Sequence, residues 1–150
     1  MKYLLLLFSS LTFIACSQST PIKIETPISH YITPNYLKQL DFKGEEIVSV
    51  FINNHYYYVR KDGKAIQTLT YENQADPFSD GLARTKVNGK IGFFNSNLDI
   101  VLKPIYDFAF PFYKGKAEIC IACKEKKVGS NKILDGGKWK KIDRNGLIIE

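Results

Sequence analysis

The sequence is poor in the residues that enzymes use for acid–base and metal chemistry. Its 150 residues include two histidines, three cysteines, one tryptophan and one methionine. The patterns G-x-S-x-G, H-E-x-x-H and the phosphate-binding loop are all absent. His30 and His55 are the only histidines. The sequence therefore offers too few ligands for a four-ligand zinc site and little choice of a general base. The sequence therefore favours a protein that is not an enzyme and that needs no metal or cofactor.

The scarcity of helix-favouring methionine contrasts with ten phenylalanines and nine tyrosines, which favour strands. Short apolar runs alternate with turn dipeptides such as Asn53-Asn54, Asn88-Gly89 and Asn145-Gly146. One or two helical turns are expected at Thr33–Leu40, where proline follows a capping threonine. The predicted fold class is all-β, with tandem antiparallel β-hairpin repeats in a small curved array. The expected strands are 46–52, 55–60, 65–70, 82–87, 91–95, 100–102, 139–143 and 147–149.

Long hydrophobic runs are also missing, apart from Leu4–Ile14 behind the positive Lys2. A bilayer takes about 20 apolar residues, so this shorter run predicts an export signal rather than a membrane span. The junction Ile14-Ala15-Cys16 resembles a bacterial lipoprotein signal, which implies cleavage before Cys16 and lipid attachment to it. The alternative is an ordinary secretory signal with Cys16 as a chance thiol. The expected domains are a signal peptide at 1–15, a linker at 16–33 and a β domain at 34–150. The expected location is a bacterial cell envelope, facing the periplasm or the exterior.

One motif occurs twice at a spacing of 34 residues. Phe78-Ser-Asp-Gly81-Leu-Ala83 returns as Phe112-Tyr-Lys-Gly115-Lys-Ala117, and such a period is typical of repeat architectures. Between the copies stand Asn88-Gly89-Lys90-Ile91-Gly92 and Lys103-Pro104-Ile105-Tyr106-Asp107, and a later segment reads Gly137-Lys138-Trp139. With a degenerate copy near 57–63, this pattern resembles the WG-repeat family over about residues 50–150, as about 2.5 units. The resemblance implies an all-β array, often in envelope proteins, with no common chemistry; the strand is expected to end at Pro104.

The pair Cys120 and Cys123 has three competing interpretations. A zinc site lacks further ligands, and a thioredoxin-type site lacks the βαβ context. A structural disulfide fits an oxidising envelope and the even cysteine count that remains once Cys16 is acylated. Residues three apart in a strand lie roughly 10 Å apart, whereas bridged Cα atoms lie within about 7 Å. A bridge therefore requires the strand to end or bulge, and two separate thiols are the alternative.

The positive charge of the chain is concentrated near its end. Residues 124–144 contain eight basic and three acidic residues, a net +5, which equals the charge of the chain without Lys2. This segment is expected to be a docking surface, with Lys124, Lys126, Lys127, Lys140 and Lys141 as binding residues. Its expected partners are anionic lipid headgroups, lipopolysaccharide or wall phosphates, or an acidic protein, beside the membrane that the lipid anchor contacts. Nucleic acid is not expected as a partner, because this segment has few aromatic side chains that could stack on bases. The alternative is a solvated loop without a binding role.

Two functions remain compatible with the sequence: a lipid-anchored binding module, and a structural or spacer protein without a specific ligand. A hydrolase of envelope glycans is a distant third, because no pair of carboxylates stands out. Trp139 and Tyr56–Tyr58 suit a sugar-stacking platform or a packed core. The core interpretation is favoured, since each repeat places an aromatic or aliphatic residue at this position.

Overall fold

The computed structural model describes residues 29–149 of the chain. Within these residues almost all regular structure is short antiparallel strand, as the sequence predicted. The elements are β1 (Ser29–Tyr31), α1 (Pro34–Leu37), β2 (Ile47–Ile52), β3 (His55–Arg60), β4 (Lys64–Thr68), β5 (Thr70–Tyr71), β6 (Gln74–Ala75), β7 (Leu82–Val87), β8 (Lys90–Asn95), β9 (Ile100–Tyr106), β10 (Phe108–Ala109), β11 (Lys116–Ile121), β12 (Lys124–Val128), β13 (Asn131–Asp135) and β14 (Lys138–Asp143).

Three small sheets repeat the same arrangement along the chain. Unit 1 is the meander β2-β3-β4 with β1 at its edge, unit 2 is β7-β8-β9, and unit 3 is β10-β11-β14. The pairs β5–β6 and β12–β13 are separate two-stranded ribbons. In units 1 and 2 the strands β2 to β4 and β7 to β9 pair in sequence order, and short turns permit this only for antiparallel strands. In unit 3 the ribbon β12–β13 is inserted between the paired strands β11 and β14. The predicted tandem array of antiparallel hairpins is confirmed.

The two copies of the F-x-x-G-x-A motif form the same turn and contact each other. Each turn has two central residues with positive φ, Asp80-Gly81 (50° and 76°) and Lys114-Gly115 (50° and 77°). This is the type I′ geometry of tight hairpins, which glycine adopts without strain. The Gly115 N–H donates to Asp80 Oδ2 at 2.7 Å, and the Ser79 hydroxyl donates to the Phe112 carbonyl. The 34-residue period therefore corresponds to one unit stacked on the next.

The core consists of two clusters, one on each side of unit 2. Unit 2 faces unit 1 through Ala83 and Phe94, and it faces unit 3 through Phe93, whose ring lies 4.8 Å from that of Phe112. Successive residues of a strand point to opposite faces, so adjacent Phe93 and Phe94 reach different clusters. A lone hairpin is marginal in water, and this sandwiching is what stabilises each unit.

A buried ion pair connects the units as well. Asp76 is 1% exposed and Arg84 is 7% exposed. Arg84 donates to both carboxylate oxygens through Nε at 3.1 Å and Nη2 at 2.5 Å, and Nη1 donates to the Ala109 carbonyl of unit 3 at 2.9 Å. The Tyr58 hydroxyl of unit 1 donates to the Asp76 carbonyl at 3.0 Å; burial, then the charge of Asp76, raises the pKa of Tyr58. One salt bridge thus contacts all three units.

The structure corrects the predicted boundary between the linker and the β domain. Strand β1 lies inside the predicted linker at 16–33, because Ser29–Tyr31 pairs with Lys64–Ile66 of β4. The folded part therefore includes residue 29 rather than starting at residue 34, and three residues were too few to show a strand pattern. The predicted signal peptide and the rest of the linker lie outside the described residues. The expected helical turn is present as α1, with Pro34 at its start.

Pro104 does not end a strand, contrary to the prediction, but lies inside β9 at an irregularity. Ile91 pairs with Tyr106 and Phe93 pairs with Leu102, so β9 has two extra residues opposite Gly92. A Cβ at Gly92 would lie 2.6 Å from the Pro104 nitrogen, so only glycine permits this close approach. A bulge is one of the few places where a sheet accepts proline, since no ladder donor is required there.

Replacing Arg84 by methionine should greatly lower the free energy of unfolding. Arg84→Met leaves the Asp76 carboxylate buried without its cation, and breaking a buried pair in this way costs about 3–5 kcal/mol. Urea unfolding of the wild type and the variant measures the difference. Lys61→Met is the matched control, because Lys61 forms an exposed ion pair with Glu46 and such pairs contribute about 0–1 kcal/mol. Equal losses in both variants would contradict the assigned role.

Candidate binding surface

The basic segment forms a β-hairpin that projects from unit 3. Strands β12 and β13 pair only with each other and are inserted between β11 and β14. Every side chain from Lys124 to Asp135 is exposed except that of Leu134, which is half-buried. The sequence predicted no strands here, because lysine-rich segments are weak strand formers.

Lysines lie on both faces of this hairpin, since side chains alternate along each strand. Lys124 and Lys126 share one face, and Lys127 lies on the other, opposite Lys132. Lys126 Nζ lies 3.7 Å from Asp135 Oδ2, and Lys132 Nζ lies 3.2 Å from Glu125 Oε2. All these groups are exposed, so water and salt screen the pairs and the hairpin keeps a positive field.

The other two predicted binding lysines lie in a different sheet. Lys140 and Lys141 are adjacent in β14, so their side chains point to opposite faces of unit 3. Lys140 pairs with Ile119, and Lys141 pairs with Glu118. The five predicted lysines are all exposed, but the structure does not gather them on one flat surface. The hairpin carries three of them.

Cys120 and Cys123 are joined by a disulfide at the base of the hairpin, with Cα atoms 5.9 Å apart. Strand β11 ends at Ile121, and Ala122 has a φ of 62°, so the chain turns between the two cysteines. This is the strand end that the sequence analysis required for a bridge. A Cβ on Gly137 would lie 2.5 Å from the Cys123 sulfur and 2.6 Å from the Cys120 sulfur, so glycine makes room for the bond.

Asp107 fixes the loop that carries this disulfide. Its Oδ2 accepts a hydrogen bond from the Ala122 N–H at 2.6 Å, and its Oδ1 accepts one from the Lys90 ammonium. The hydrogen bond from Lys90, then that from Ala122, lowers the pKa of Asp107. In the sequence, Asp107 stands out only as the last residue of the Lys103-Pro104-Ile105-Tyr106-Asp107 motif. Its contacts connect the loop to the end of unit 2.

Trp139 is not a core residue, and the prediction that it packs inside the domain is wrong. Its side chain is 39% exposed. Its ring centroid lies 6.0 Å from that of Phe108 and 6.1 Å from that of Phe110, which is itself 46% exposed. These three residues form a continuous aromatic strip on the outer face of unit 3. The sequence did not predict this strip, because Phe108 and Phe110 lie in a short segment that lacks the turn residues marking the ends of a strand.

The remaining candidates show no sign of a reactive site. His30 lies in β1 and lines a shallow pocket of about 260 Å³ with Ile32, Ile52, Tyr57 and Ala65. His55 follows the Asn53-Asn54 turn, as expected, and is exposed. Residues 29–149 hold no group of three or more histidine, cysteine, aspartate or glutamate side chains placed to bind a metal ion.

The predicted lipid attachment site, Cys16, lies outside the described residues. In the described part of the chain, no helix has the length and apolar character needed to cross a bilayer.

Fold and surface together define a β-repeat protein made of stacked antiparallel meanders, with an inserted basic hairpin in the third. The family model described as "WG containing repeat" matches residues 68–90 and 91–126. This part of the chain belongs to the WG-repeat family, as the sequence pattern predicted. The matched residues run from the end of unit 1 into β12, whereas β14 and most of unit 1 lie outside them. Neither the curated proteins nor the solved structures include a significant match to this chain.

Mass spectrometry of the purified protein should find Cys120 and Cys123 bridged. Alkylation of the unfolded protein without reductant is expected to leave both cysteines unmodified, and prior reduction should add two alkyl groups. The reduced protein should stay folded, since closing so short a loop contributes only about 2 kcal/mol in the chain-entropy account. Cys123→Ser serves as the control and should expose one alkylated thiol at Cys120. Two alkyl groups without reductant would contradict the bridge.

Proposed function

We propose that the protein is a lipid-anchored, non-catalytic binding module of a bacterial cell envelope, with its WG-repeat units as the scaffold. The hairpin β12–β13 is the docking element, and its partner is an anionic envelope component or an acidic protein. The observation that carries this proposal is the placement of a lysine-rich insertion as an exposed hairpin on a rigid repeat scaffold. Insertions in repeat arrays extend from one face and often carry binding function.

The attachment of the hairpin supports docking over a passive spacer role. Its base is held by the Cys120–Cys123 disulfide and by the hydrogen bond between Asp107 and Ala122. Holding a surface element in a fixed orientation lowers the entropy that binding must remove. A spacer needs neither a fixed hairpin nor a net charge of +5 concentrated in residues 124–144.

The membrane anchor is expected at Cys16, where the sequence resembles a lipoprotein signal. Cells fed a clickable fatty acid should label the wild-type protein, and Cys16→Ser should remove the label. Because the thiol is the acceptor in such signals, the loss should be complete. The Cys120→Ser and Cys123→Ser double variant, labelled like the wild type, controls for acylation elsewhere. Equal labelling of the Cys16→Ser protein would exclude the lipid anchor.

Reversing the hairpin charge should abolish retention on envelope fragments. Lys124, Lys126 and Lys127 are changed together to glutamate in residues 17–150, and binding to isolated envelopes is measured by sedimentation. We expect at least a tenfold loss, because docking through several charges weakens when those charges repel the partner. Wild-type retention should also fall steeply as salt shortens the Debye length below about 8 Å.

The matched control changes three exposed lysines elsewhere, Lys38, Lys43 and Lys103, to glutamate. It makes the same change in net charge without touching the hairpin, and its retention should stay close to that of the wild type. Equal losses in both variants would show that overall charge rather than the hairpin governs binding. Retention that neither salt nor the hairpin variant alters would favour the spacer function.

A further inference from the structure

The outer face of unit 3 is open where the corresponding face of unit 2 is covered. Ile91 in β8 and Trp139 in β14 occupy the same position, since each follows a glycine and a lysine at the start of its strand. Ile91 is buried between units 2 and 3, whereas Trp139 is 39% exposed. Among residues 29–149, no further unit packs on this face. The aromatic strip is therefore available to a ligand.

The strip is continuous and backed by rigid structure. Phe108, Cys120 and Trp139 pair side by side across the three strands of unit 3, so their side chains share a face. The rings of Phe108 and Trp139 approach to 6.0 Å across the intervening Cys120, which is fully buried although it lies on the outer face. Phe110 extends the strip, with its ring 5.1 Å from that of Phe108. The disulfide below the rings restrains them.

The charged residues around the strip do not suit another repeat unit. Leu82 and Phe93 of unit 2 are buried against unit 3, and Lys116 and Lys141 stand at the matching positions of unit 3. Terminal units of repeat arrays present such polar outer faces, which stop further stacking. Glu118, which pairs with Lys141, adds a carboxylate beside the rings.

Exposed rings flanked by hydrogen-bonding groups match the chemistry of a saccharide. The apolar C–H face of a sugar ring can lie against an aromatic ring, while its hydroxyls bond to carboxylate and ammonium groups at the rim. An apolar partner would desolvate the charged groups around the strip, which is costly. The hydroxyls of a saccharide offer hydrogen-bond donors to the carboxylate and acceptors to the ammonium groups.

The charge next to the strip selects among saccharides. The last residue pair of β11 and β14 is Ile121 with Lys138, directly beyond Trp139, and the basic hairpin emerges at this end. The aromatic strip and the net charge of +5 in residues 124–144 are therefore adjacent. A polysaccharide that bears negative charge along its length offers sugar rings to the strip and acidic groups to the lysines.

We propose that the outer face of unit 3 binds an acidic polysaccharide, with sugar rings on Trp139 and Phe110 and acidic groups at the lysines of the hairpin. This inference rests on the proposed function and names the ligand class of the same surface.

The test uses the full chain, extracted in detergent, with polygalacturonate as the probe. Trp139 is the only tryptophan in the sequence, so its fluorescence reports directly on the site. Polygalacturonate should shift and saturate this emission. Neutral dextran and polyglutamate, which has acidic groups but no sugar, should bind at least tenfold more weakly. Equal binding of polyglutamate, or a clear preference for vesicles of anionic phospholipid, would overturn the proposal.

Substitutions then test the strip itself on immobilised polygalacturonate. Trp139→Leu and Phe110→Leu keep apolar bulk but remove the rings, and each should weaken binding about tenfold. Phe51→Leu is the matched control: Phe51 is 57% exposed in β2 of unit 1, beside Tyr56, and its loss should not change binding. Thermal unfolding is followed for each variant, and Phe110→Leu decides the matter if Trp139→Leu does not fold. Wild-type affinity in folded Phe110→Leu would overturn the role of the rings.

The outcomes separate this proposal from the docking function on which it rests. If the hairpin triple variant loses envelope retention but the wild type does not bind polygalacturonate, docking stands and the polysaccharide is excluded. If ring removal weakens binding to polygalacturonate and to envelopes alike, both proposals are supported.

Discussion

The buried pair of Asp76 and Arg84 is the interaction on which the arrangement of the units depends. A buried charge is tolerated only when it is paired and fully hydrogen-bonded, and the five donors of a guanidinium suit this task. Here the arginine satisfies both oxygens of Asp76 and also the Ala109 carbonyl in the next unit. The register between units is thereby specified by directional bonds as well as by apolar contact. At the corresponding positions in unit 3 stand Phe110 and Glu118, 34 residues later. The pair is not repeated in unit 3, and among residues 29–149 no further unit packs on the outer face of that unit.

The two F-x-x-G-x-A turns, which lie 34 residues apart, provide a second contact between units. Asp80 in the first F-x-x-G-x-A turn accepts a hydrogen bond from Gly115 in the second, so a local motif also forms a contact between units. Because each type I′ turn also fixes its own hairpin register, the same residues determine a local turn and one contact between units. Local geometry and long-range packing agree, and this consistency is typical of sequences with one folded state.

Much of this fold was predictable from sequence, because its signals are local. Asparagine and glycine at positive φ mark the turns, and short apolar runs mark the strands of units 1 and 2. The missed elements depend on context. Strand β1 is three residues long, and the hairpin β12–β13 is rich in lysine, so neither shows a strand pattern. The exposure of Trp139 was mispredicted for a different reason: the repeat position is apolar in every unit, but only the presence of a following unit decides whether it is buried. The disulfide could be anticipated from cysteine parity, whereas its support by Asp107 and Gly137 is visible only in three dimensions.

Under the proposed function, stability and binding depend on different parts of this array. The buried side chains concentrate on either side of unit 2, while the hairpin lies outside both core clusters. Substituting its lysines therefore removes little packing, and the fold should tolerate such substitutions. The aromatic strip is intermediate, since Phe108 also packs against the core between units 2 and 3. Trp139 and Phe110 are the members of the strip whose rings are most available to a ligand, because both are exposed whereas Phe108 is half-buried. The buried side chains of the inner units thus account for the rigidity of the scaffold, and the proposed recognition site lies on unit 3, whose outer rings no other unit covers among residues 29–149.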